Sequence, residues 1–328
     1  MRTEILTMLR QADDYVSGQE LCERFGVSRT AIWKVINGLK EQGYEIESQT
    51  NKGYRLKAAP DILSESEIAS RMTTKWLGRN VVYFQETDST NTQAKRLAEE
   101  GAVSGTLVVA DMQNAGKGRR GRSWQQAPGT MISMTLILKP EFAPELASML
   151  TLIAAHSVSK AIENMTGLSA LIKWPNDIVI HNKKTVGILT EMSLSLEQDS
   201  IHYVVVGIGI NTNIRTFSDE IKDIATSLYL ETGKKVNRSG MIAEVMKCFE
   251  EDYETFLQKE DLSEILEDYN AHLAGRDREV RVLDPKGEYT GISRGVNRTG
   301  ELLVQRADGS VTNVYAGEVS VRGLYGYV

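Results

Sequence analysis

The sequence predicts an α+β chain built in three units, and three observations support this. Residues 1–57 place three short runs of helical apolar spacing ahead of two brief alternating stretches joined by a polar tip. Residues 61–272 interleave apolar strands with long helical periods, the pattern of a mixed α/β domain. Residues 273–328 hold short strand-like runs separated by turn residues, which predicts a small antiparallel barrel. The expected boundaries therefore fall at 1–60, 61–272 and 273–328.

Length and composition agree with this division. A chain of 328 residues suits two or three domains of about 100–200 residues each. At 41% hydrophobic and 25% charged it is ordinary globular material without a low-complexity tract. No apolar run approaches the roughly 20 residues that span a bilayer. The opening MRTEILTMLRQADD carries acids in place of an apolar core, so neither a membrane protein nor a signal peptide is expected. Cys22 and Cys248 stand far apart, which argues against a disulfide framework and for a reducing cytoplasm. The scattered histidines and cysteines show no zinc-ligand spacing. Net charge is −6; residues 1–57 hold nine Lys/Arg and eight Asp/Glu, +1, leaving −7 for the rest. Any contact with nucleic acid must then come from local clustering.

Ile5, Leu6, Met8 and Leu9 give the first helix its apolar face. Ser17-Gly18-Gln19-Glu20 opens a second, with Leu21, Cys22 and Phe25 facing in and Gly26 ending it. Ser28 is a good N-cap for a third, whose apolar face is Ile32, Val35, Ile36 and Leu39. No acid interrupts Ser28 to Lys40. This is the pattern of a helix-turn-helix with a recognition helix turned outward. Gly43–Glu47 and Gly53–Leu56, joined by Ser48–Lys52, complete a hairpin wing. Ser28, Arg29, Thr30, Trp33, Lys34, Asn37, Lys52 and Arg55 are the residues expected to meet DNA. The stretch Val27–Lys34 with Gly53-Tyr54-Arg55-Leu56 resembles the DNA-binding domain of bacterial winged-helix repressors; a three-helix protein-interaction domain is the plainer alternative.

Ser64–Glu67 caps a helix expected to run to about Thr73, and Val81–Phe84 is a strand. It leads into Asp88-Ser89-Thr90-Asn91 at a strand-to-helix junction, where hydroxyls, amides and free helix N–H groups can meet a polar ligand. Plain N-capping would need only one of those residues. Thr106–Ala110 delivers QNAGKGRRGRSW, Gln113 to Trp124. This stretch sets three glycines among Lys117, Arg119, Arg120 and Arg122 in an acidic chain, the chemistry of a loop that wraps a small anionic group. It is not a Walker loop; a solvated basic turn or a nucleic-acid patch are the bland alternatives. Met131–Leu138 is a further strand, and a long helix covers Pro144–Thr166.

Lys173 sits on a largely apolar strand running from Leu171 to Ile180, beside Trp174-Pro175-Asn176-Asp177. A lysine is costly to bury without an anion, so Lys173 is a site candidate able to meet a carboxylate and a transferring phosphoryl group. A lysine snorkelling from an edge strand is the alternative. Lys184–Glu191 pairs back across His181–Lys183. Tyr203–Asn211 alternates glycines along a strand, which suggests close approach of a ligand or another backbone, and ends on Asn211, a polar candidate for phosphate or metal. Met241–Tyr269 is expected to be helical.

Asp88-Ser-Thr-Asn91, Gln113-x-x-Gly-Lys-Gly-Arg-Arg-Gly-Arg-x-Trp124, Lys173-Trp-Pro-Asn-Asp177, Gly187-Ile-Leu and Gly207-Ile-Gly-Ile-Asn211, in that order, resemble the biotin–protein ligases. With the winged helix, nearly the whole chain resembles the bifunctional family that is both biotin ligase and biotin operon repressor. The resemblance implies a class II synthetase-like central domain and an SH3-like C-terminal domain. It implies that Ser89, Thr90, Asn91 and Gln113 bind biotin, that Lys117, Gly118 and Arg119 close over it, and that Lys173 binds its carboxylate and the phosphate. Lys173 and Arg119 are then the catalytic residues. Arg120, Arg122, Asn176, Asp177 and Asn211 fall to the nucleotide and its phosphates, with Asn211 near Mg²⁺. Lys117 stands where the family often has arginine, so charge survives there and the bidentate fork does not. ATP, Mg²⁺, biotin and biotinyl-5′-AMP are the implied cofactors and substrates. A carboxylase carrier domain, operator DNA and a second copy of the chain when adenylate is bound are the implied partners. Two other readings stand beside it: a ligand-sensing transcription factor that has lost catalysis, and a lipoate–protein ligase.

Overall fold

In the computed structural model every residue is described except 122–123, 125–126, 196–199, 285–286, 317–319 and 324–328. The N-terminal unit follows its apolar spacing. Helices α1 (Arg2–Gln11), α2 (Gly18–Phe25) and α3 (Arg29–Glu41) turn Ile5, Leu6, Leu9, Leu21, Ile32, Ile36 and Leu39 onto one another as a separate core. The Ser17 and Ser28 hydroxyls accept the N–H of Glu20 at 3.0 Å and of Ala31 at 3.3 Å, so each helix starts on a satisfied cap. β1 (Glu45–Gln49) and β2 (Gly53–Ala58) form the antiparallel wing, tied to the chain before α2 by a Val16–Tyr54 bridge.

The central domain begins with α4 (Glu65–Ala69), β3 (Val81–Thr87), α5 (Thr90–Glu99), β4 (Leu107–Gln113), β5 (Met131–Leu138) and α6 (Met149–Thr166). It continues with β6 (Leu171–Lys173), β7 (Asp177–Ile180), β8 (Lys183–Leu194), β9 (Ile201–Asn211), α7 (Leu228–Thr232), α8 (Arg238–Lys259) and α9 (Leu266–Ala271). Its sheet has the order β3-β4-β5-β9-β8-β7-β6, parallel only between β3 and β4. Side chains alternate across a strand, and the two faces divide cleanly. Ile132, Met134, Leu136, Val204, Val206, Ile208 and Ile210 join α6 and α8 in the main core. Val108, Ile137, Tyr203 and Val205 face the other way, under Ala94 and Ala98 of α5. Beyond α5 that second face carries Ser133, Thr135, Gly207, Gly209 and Asn211 in the same alternation.

β10 (Glu279–Leu283), β11 (Tyr289–Val296), β12 (Leu302–Gln305), β13 (Val311–Val314) and β14 (Ser320–Gly323) make one antiparallel sheet of order β13-β12-β11-β10-β14. The expected barrel does not close among the described residues, because β13 and β14 remain the two edges. Val282, Val296, Leu302 and Val304 join the main core, and the Trp174 indole N–H donates to Gly300 O at 3.1 Å. The C-terminal sheet is thereby fixed beside the β6–β7 turn.

Three expected elements differ. The helix from Ser64 stops at Ala69, and the chain turns so that the N–H groups of Lys75, Trp76 and Leu77 donate to the Glu250 carboxylate of α8 at 2.8, 3.0 and 2.9 Å. The expected helix 241–269 breaks at Glu260, whose φ of 54° ends α8 with a left-handed cap bonded to Phe256 O. The apolar run from Leu171 to Ile180 is a tight hairpin of β6 and β7, not one strand, with a cis Trp174–Pro175 bond in its turn.

Candidate active site and nucleic-acid face

The strand register builds the site. Ser133 pairs with Gly209, Gly209 with Gly187, Gly187 with Asp177 and Asp177 with Lys173. Directly opposed residues of an antiparallel ladder share a face, so these five form one row across four strand boundaries. Lys173 stands at its end, three strands and about 14 Å from Gly209. The neighbouring row is Thr135, Gly207 and Leu189. Asn211 ends β9 on the same face, and its Nδ2 donates to Thr226 O at 3.0 Å.

Glycines leave room for what lies on the face. A Cβ at residue 207 would stand 2.1 Å from Asn91 Oδ1, and one at 209 would stand 2.6 Å from the Trp124 ring. Asn91 and the Trp124 indole therefore lie side by side on β9. Trp124 also covers Gly187, and Lys184 Nζ sits 5.6 Å from its ring. Among the described residues its buried indole N–H has no hydrogen-bond partner.

Ser89, Thr90 and Asn91 are all buried, at the start of α5. The Ser89 hydroxyl does not cap the helix. Gln113 does that work from the end of β4, because its Oε1 accepts the Thr90 N–H at 2.7 Å while its Nε2 donates to Ser133 Oγ at 3.0 Å. Thr135 Oγ1 lies 2.8 Å from Thr90 Oγ1 and 2.7 Å from Asn91 Oδ1. Three of the four sequence candidates, Thr90, Asn91 and Gln113, are thus one network, while the Ser89 N–H donates to Asp88 Oδ1 at 2.7 Å. Ser133, Thr135, Glu191, Trp124 and Lys184, which the sequence reading did not single out as site residues, belong with it. Polar residues at alternate positions of the apolar Met131–Leu138 strand were the available signal for Ser133 and Thr135.

The glycine- and arginine-rich loop leaves β4 over this network. Trp124 N–H donates to Gly116 O at 2.9 Å, closing its base. A short 3-10 turn, Arg119–Gly121, follows Lys117 and Gly118, with Arg120 at a φ of 57°. Arg119 Nη1 donates to Asn176 Oδ1 at 2.9 Å. Burial lowers the pKa of the Arg119 guanidinium, with Asp177 opposing that shift. The contact brings the loop to the β6–β7 turn beside Lys173. Asp177 Oδ1 in turn accepts from Lys184 Nζ at 2.6 Å. Lys117 and Arg120 are exposed; Arg122 lies outside the described residues.

On the N-terminal unit, Ser28, Arg29, Thr30, Trp33 and Lys34 are exposed on or beside α3, with Asn37 half-buried; Trp33 is 55% exposed. Arg29 donates to Gln19 at 3.1 Å, which holds it against α2. On the wing, Lys52 lies over the Tyr15 ring at 5.5 Å and Arg55 pairs with Asp14 at 3.8 Å.

Three family models match in the order of the three units: "HTH domain" over residues 2–55, "Biotin/lipoate A/B protein ligase family" over 82–211 and "Biotin protein ligase C terminal domain" over 277–322. Together they define a ligase of the biotin or lipoate type joined to a helix-turn-helix unit. The bifunctional ligase/repressor BirA of Bacillus subtilis (strain 168) is 39% identical over 324 residues, 98% of each chain. The protein of that name from Salmonella typhimurium is 30% identical over 310 residues, 94% of each. The biotin protein ligase of Aquifex aeolicus, solved with biotin and ATP, superposes with a TM-score of 0.65 at 34% identity, over 75% of this chain and 99% of that one. The chain belongs to the family of bifunctional biotin ligase/repressors.

Proposed function

We propose that the chain joins biotin to ATP as biotinyl-5′-AMP and passes the biotinyl group to a lysine of a carboxylase carrier domain. Loaded with the adenylate, it dimerises in the cytoplasm and represses transcription from operator DNA. The observation that carries this is the row from Ser133 to Lys173, with Asn91 seated over Gly207 and Arg119 drawn to Asn176. It puts a hydrogen-bonding subsite at one end of a single face and a lysine at the other. Ser89, Thr90, Asn91 and Gln113 hold the biotin, Lys117, Gly118 and Arg119 cover it, and Lys173 holds its carboxylate. Arg120, Arg122, Asn176, Asp177 and Asn211 surround the phosphates. The three units divide at residues 60 and 272.

In the first step a biotin carboxylate oxygen attacks the α-phosphorus and pyrophosphate leaves. Two anions must meet, and Lys173 and Arg119 offset their repulsion in a site screened from water. In the second step the acceptor amine attacks the acyl carbon and AMP leaves. Until then the Gly116–Trp124 loop shields the mixed anhydride from hydrolysis. Magnesium ions bind through substrate phosphates, waters and few protein ligands. Asn211, whose Nδ2 donates to Thr226 O at 3.0 Å, would offer its amide oxygen to such an ion. Bound with ATP, such an ion would neutralise phosphate charge. The described helices include none long and apolar enough to cross a membrane.

Biotin-dependent exchange between ATP and pyrophosphate tests the assignment. Lys173→Ala should lower it by about 100-fold or more, the scale of losing a charge-stabilising donor; unchanged exchange would overturn the catalytic reading. Deleting residues 1–60 should abolish operator binding, and retained binding would overturn the regulatory one.

A further inference from the structure

Asn91 Nδ2 donates to two oxygens, Leu189 O at 3.2 Å and Glu191 Oε2 at 2.8 Å. An amide nitrogen has two protons, so both are spent. A carbonyl and a carboxylate can only accept, which leaves the amide one way round. Its Oδ1 faces the Thr135 hydroxyl, the donor to it at 2.7 Å. Glu191 holds this arrangement from β8, and its other oxygen is held by Lys95 Nζ of α5 at 2.5 Å.

Thr135 Oγ1 also reaches Thr90 Oγ1 at 2.8 Å, and the Thr90 hydroxyl donates to Gln113 Oε1 at 3.1 Å. The Thr90 backbone N–H can only donate, so it fixes Gln113 with Oε1 inward and Nε2 towards Ser133. Gln113 keeps one N–H to offer a ligand, and Asn91 keeps one lone pair. We infer that the Lys95–Glu191 pair, outside the ligand contacts, is a polarity lock: it holds Asn91 as an acceptor, and so makes the subsite select a ligand that presents an N–H at that point. The inference rests on the reading of this subsite as the seat of biotin, whose ureido ring has two such N–H groups.

Glu191→Gln tests it, because a glutamine can turn either end of its amide to Asn91, which leaves the Leu189 carbonyl as the one obligatory acceptor and weakens the lock. Glu191→Ala, with no acceptor, should act the same way. The probes are biotin and its two mono-N-methyl ureido analogues, with thermal unfolding as the check on folding. The native protein should reject at least one analogue by about 30-fold or more, the scale of an unsatisfied buried polar group. Both variants should narrow that ratio to about fivefold. The KM for biotin should rise by about 10-fold in ATP–pyrophosphate exchange, with kcat within about twofold. A ratio unchanged in either variant, or a fall in kcat at constant KM, would overturn the proposal. An equal loss for all three ligands would mark a merely structural role and overturn it too. If the native protein failed to bind biotin, or Asn91→Ala bound it as well as the native chain, the reading of the subsite itself would fall.

Discussion

Arg10 Nη2 meets Glu67 Oε2 at 2.6 Å across the junction of the N-terminal unit and the central domain, and none of that carboxylate is exposed. Tyr44 Oη donates to the same oxygen at 2.5 Å, while Arg71 Nε and Ser239 Oγ donate to Oε1 at 2.7 and 3.0 Å. One side chain of α4 thus gathers α1, the turn after α3 and the start of α8. Breaking a buried pair from one side leaves the other charges uncompensated. Glu67→Ala should therefore cost about 3–5 kcal/mol of folding stability and open the segment joining the two units to proteases. Calorimetric unfolding with mapped proteolysis at residues 58–64 measures this; an unaltered melting profile would refute it.

The same contact has a pH signature. Burial, then the hydrogen bond to Glu67 and its negative charge, raise the Tyr44 phenol well above its ordinary value. A raised folded pKa means that the protonated form is the one folding favours. Its contribution is intact below the unfolded value of about 10 and is lost as pH climbs beyond it. Unfolding free energy should fall more steeply above about pH 10 in the native chain than in Tyr44→Phe. Parallel curves would remove Tyr44 from the junction's energetics.

Arg238 ties that junction to the site. Its guanidinium, 2% exposed, pairs with Asp61 at 3.2 Å and with Asp111 at 2.5 Å, and its Nη1 also donates to Met131 O at 3.3 Å. Asp61 lies in the segment joining the units, and Asp111 lies two residues before Gln113 on β4. Asn213, two residues past Asn211, donates to the same Asp61 oxygen, Oδ2, at 3.0 Å. A lysine carries the charge without the fork. Arg238→Lys should weaken biotin binding by about 10-fold and cost about 2–3 kcal/mol, the scale of hydrogen bonds to charged groups. Titration calorimetry reads the affinity and denaturant unfolding the stability, and native affinity would show that β4 needs no such strut.

The two cysteines give a probe of the core. Cys248 is buried at 2% exposure between α8 and α6, and burial, then the Glu244 charge, push its thiol up to about 12. Cys22 is only half-buried on α2. Reaction with alkylating agents needs a thiolate. At pH 8 iodoacetamide should label Cys22 and spare Cys248 until the chain unfolds, as read by mass spectrometry. The raised value favours the thiol, so its contribution to stability holds at neutral pH and is lost as pH rises towards 12. Equal labelling of the folded protein would contradict the packing of α6 on α8.

Local signals of this chain were legible in its sequence because they depend on one segment at a time. The caps Ser17 and Ser28, the apolar spacing of α3 and the wing needed no partner to be read. The same holds for the alternating glycines of β9 and the motifs around Ser89, Gln113 and Lys173. What escaped were relations between segments. The end of α4 answers to Glu250, some 170 residues on, through hydrogen bonds to Lys75, Trp76 and Leu77. The break after α8 depends on Leu262 bonding to Arg298 O of the C-terminal sheet. Glu191 takes its place beside Asn91 only through the register of β8 on β9. Pro175 hid a hairpin inside a run that reads as one strand, because its isomer is invisible to periodicity.

The glycines of β9 give the sharpest separation of roles. Gly207 and Gly209 share a face and differ in what a side chain there would strike: Asn91 Oδ1 at 2.1 Å, or the Trp124 ring at 2.6 Å. Neither has a positive φ, so the demand is for space alone. An alanine at 207 must push Asn91 off Leu189 and Glu191, and the hydrogen bond it takes from Thr135 goes with it. Gly207→Ala should raise the KM for biotin by about 10- to 100-fold, the equivalent of the 1–3 kcal/mol that overpacking costs. An alanine at 209 leaves Asn91 alone and displaces the indole at the base of the arginine loop. Gly209→Ala should therefore spare biotin binding to within about threefold, shift the tryptophan emission and make the loop easier to cleave after Arg119 or Arg120. Biotin titration and proteolysis of the two variants side by side decide the matter. If both variants lost biotin equally, Asn91 and Trp124 would be acting as one unit, and the division of the face into a biotin subsite and a loop seat would be wrong.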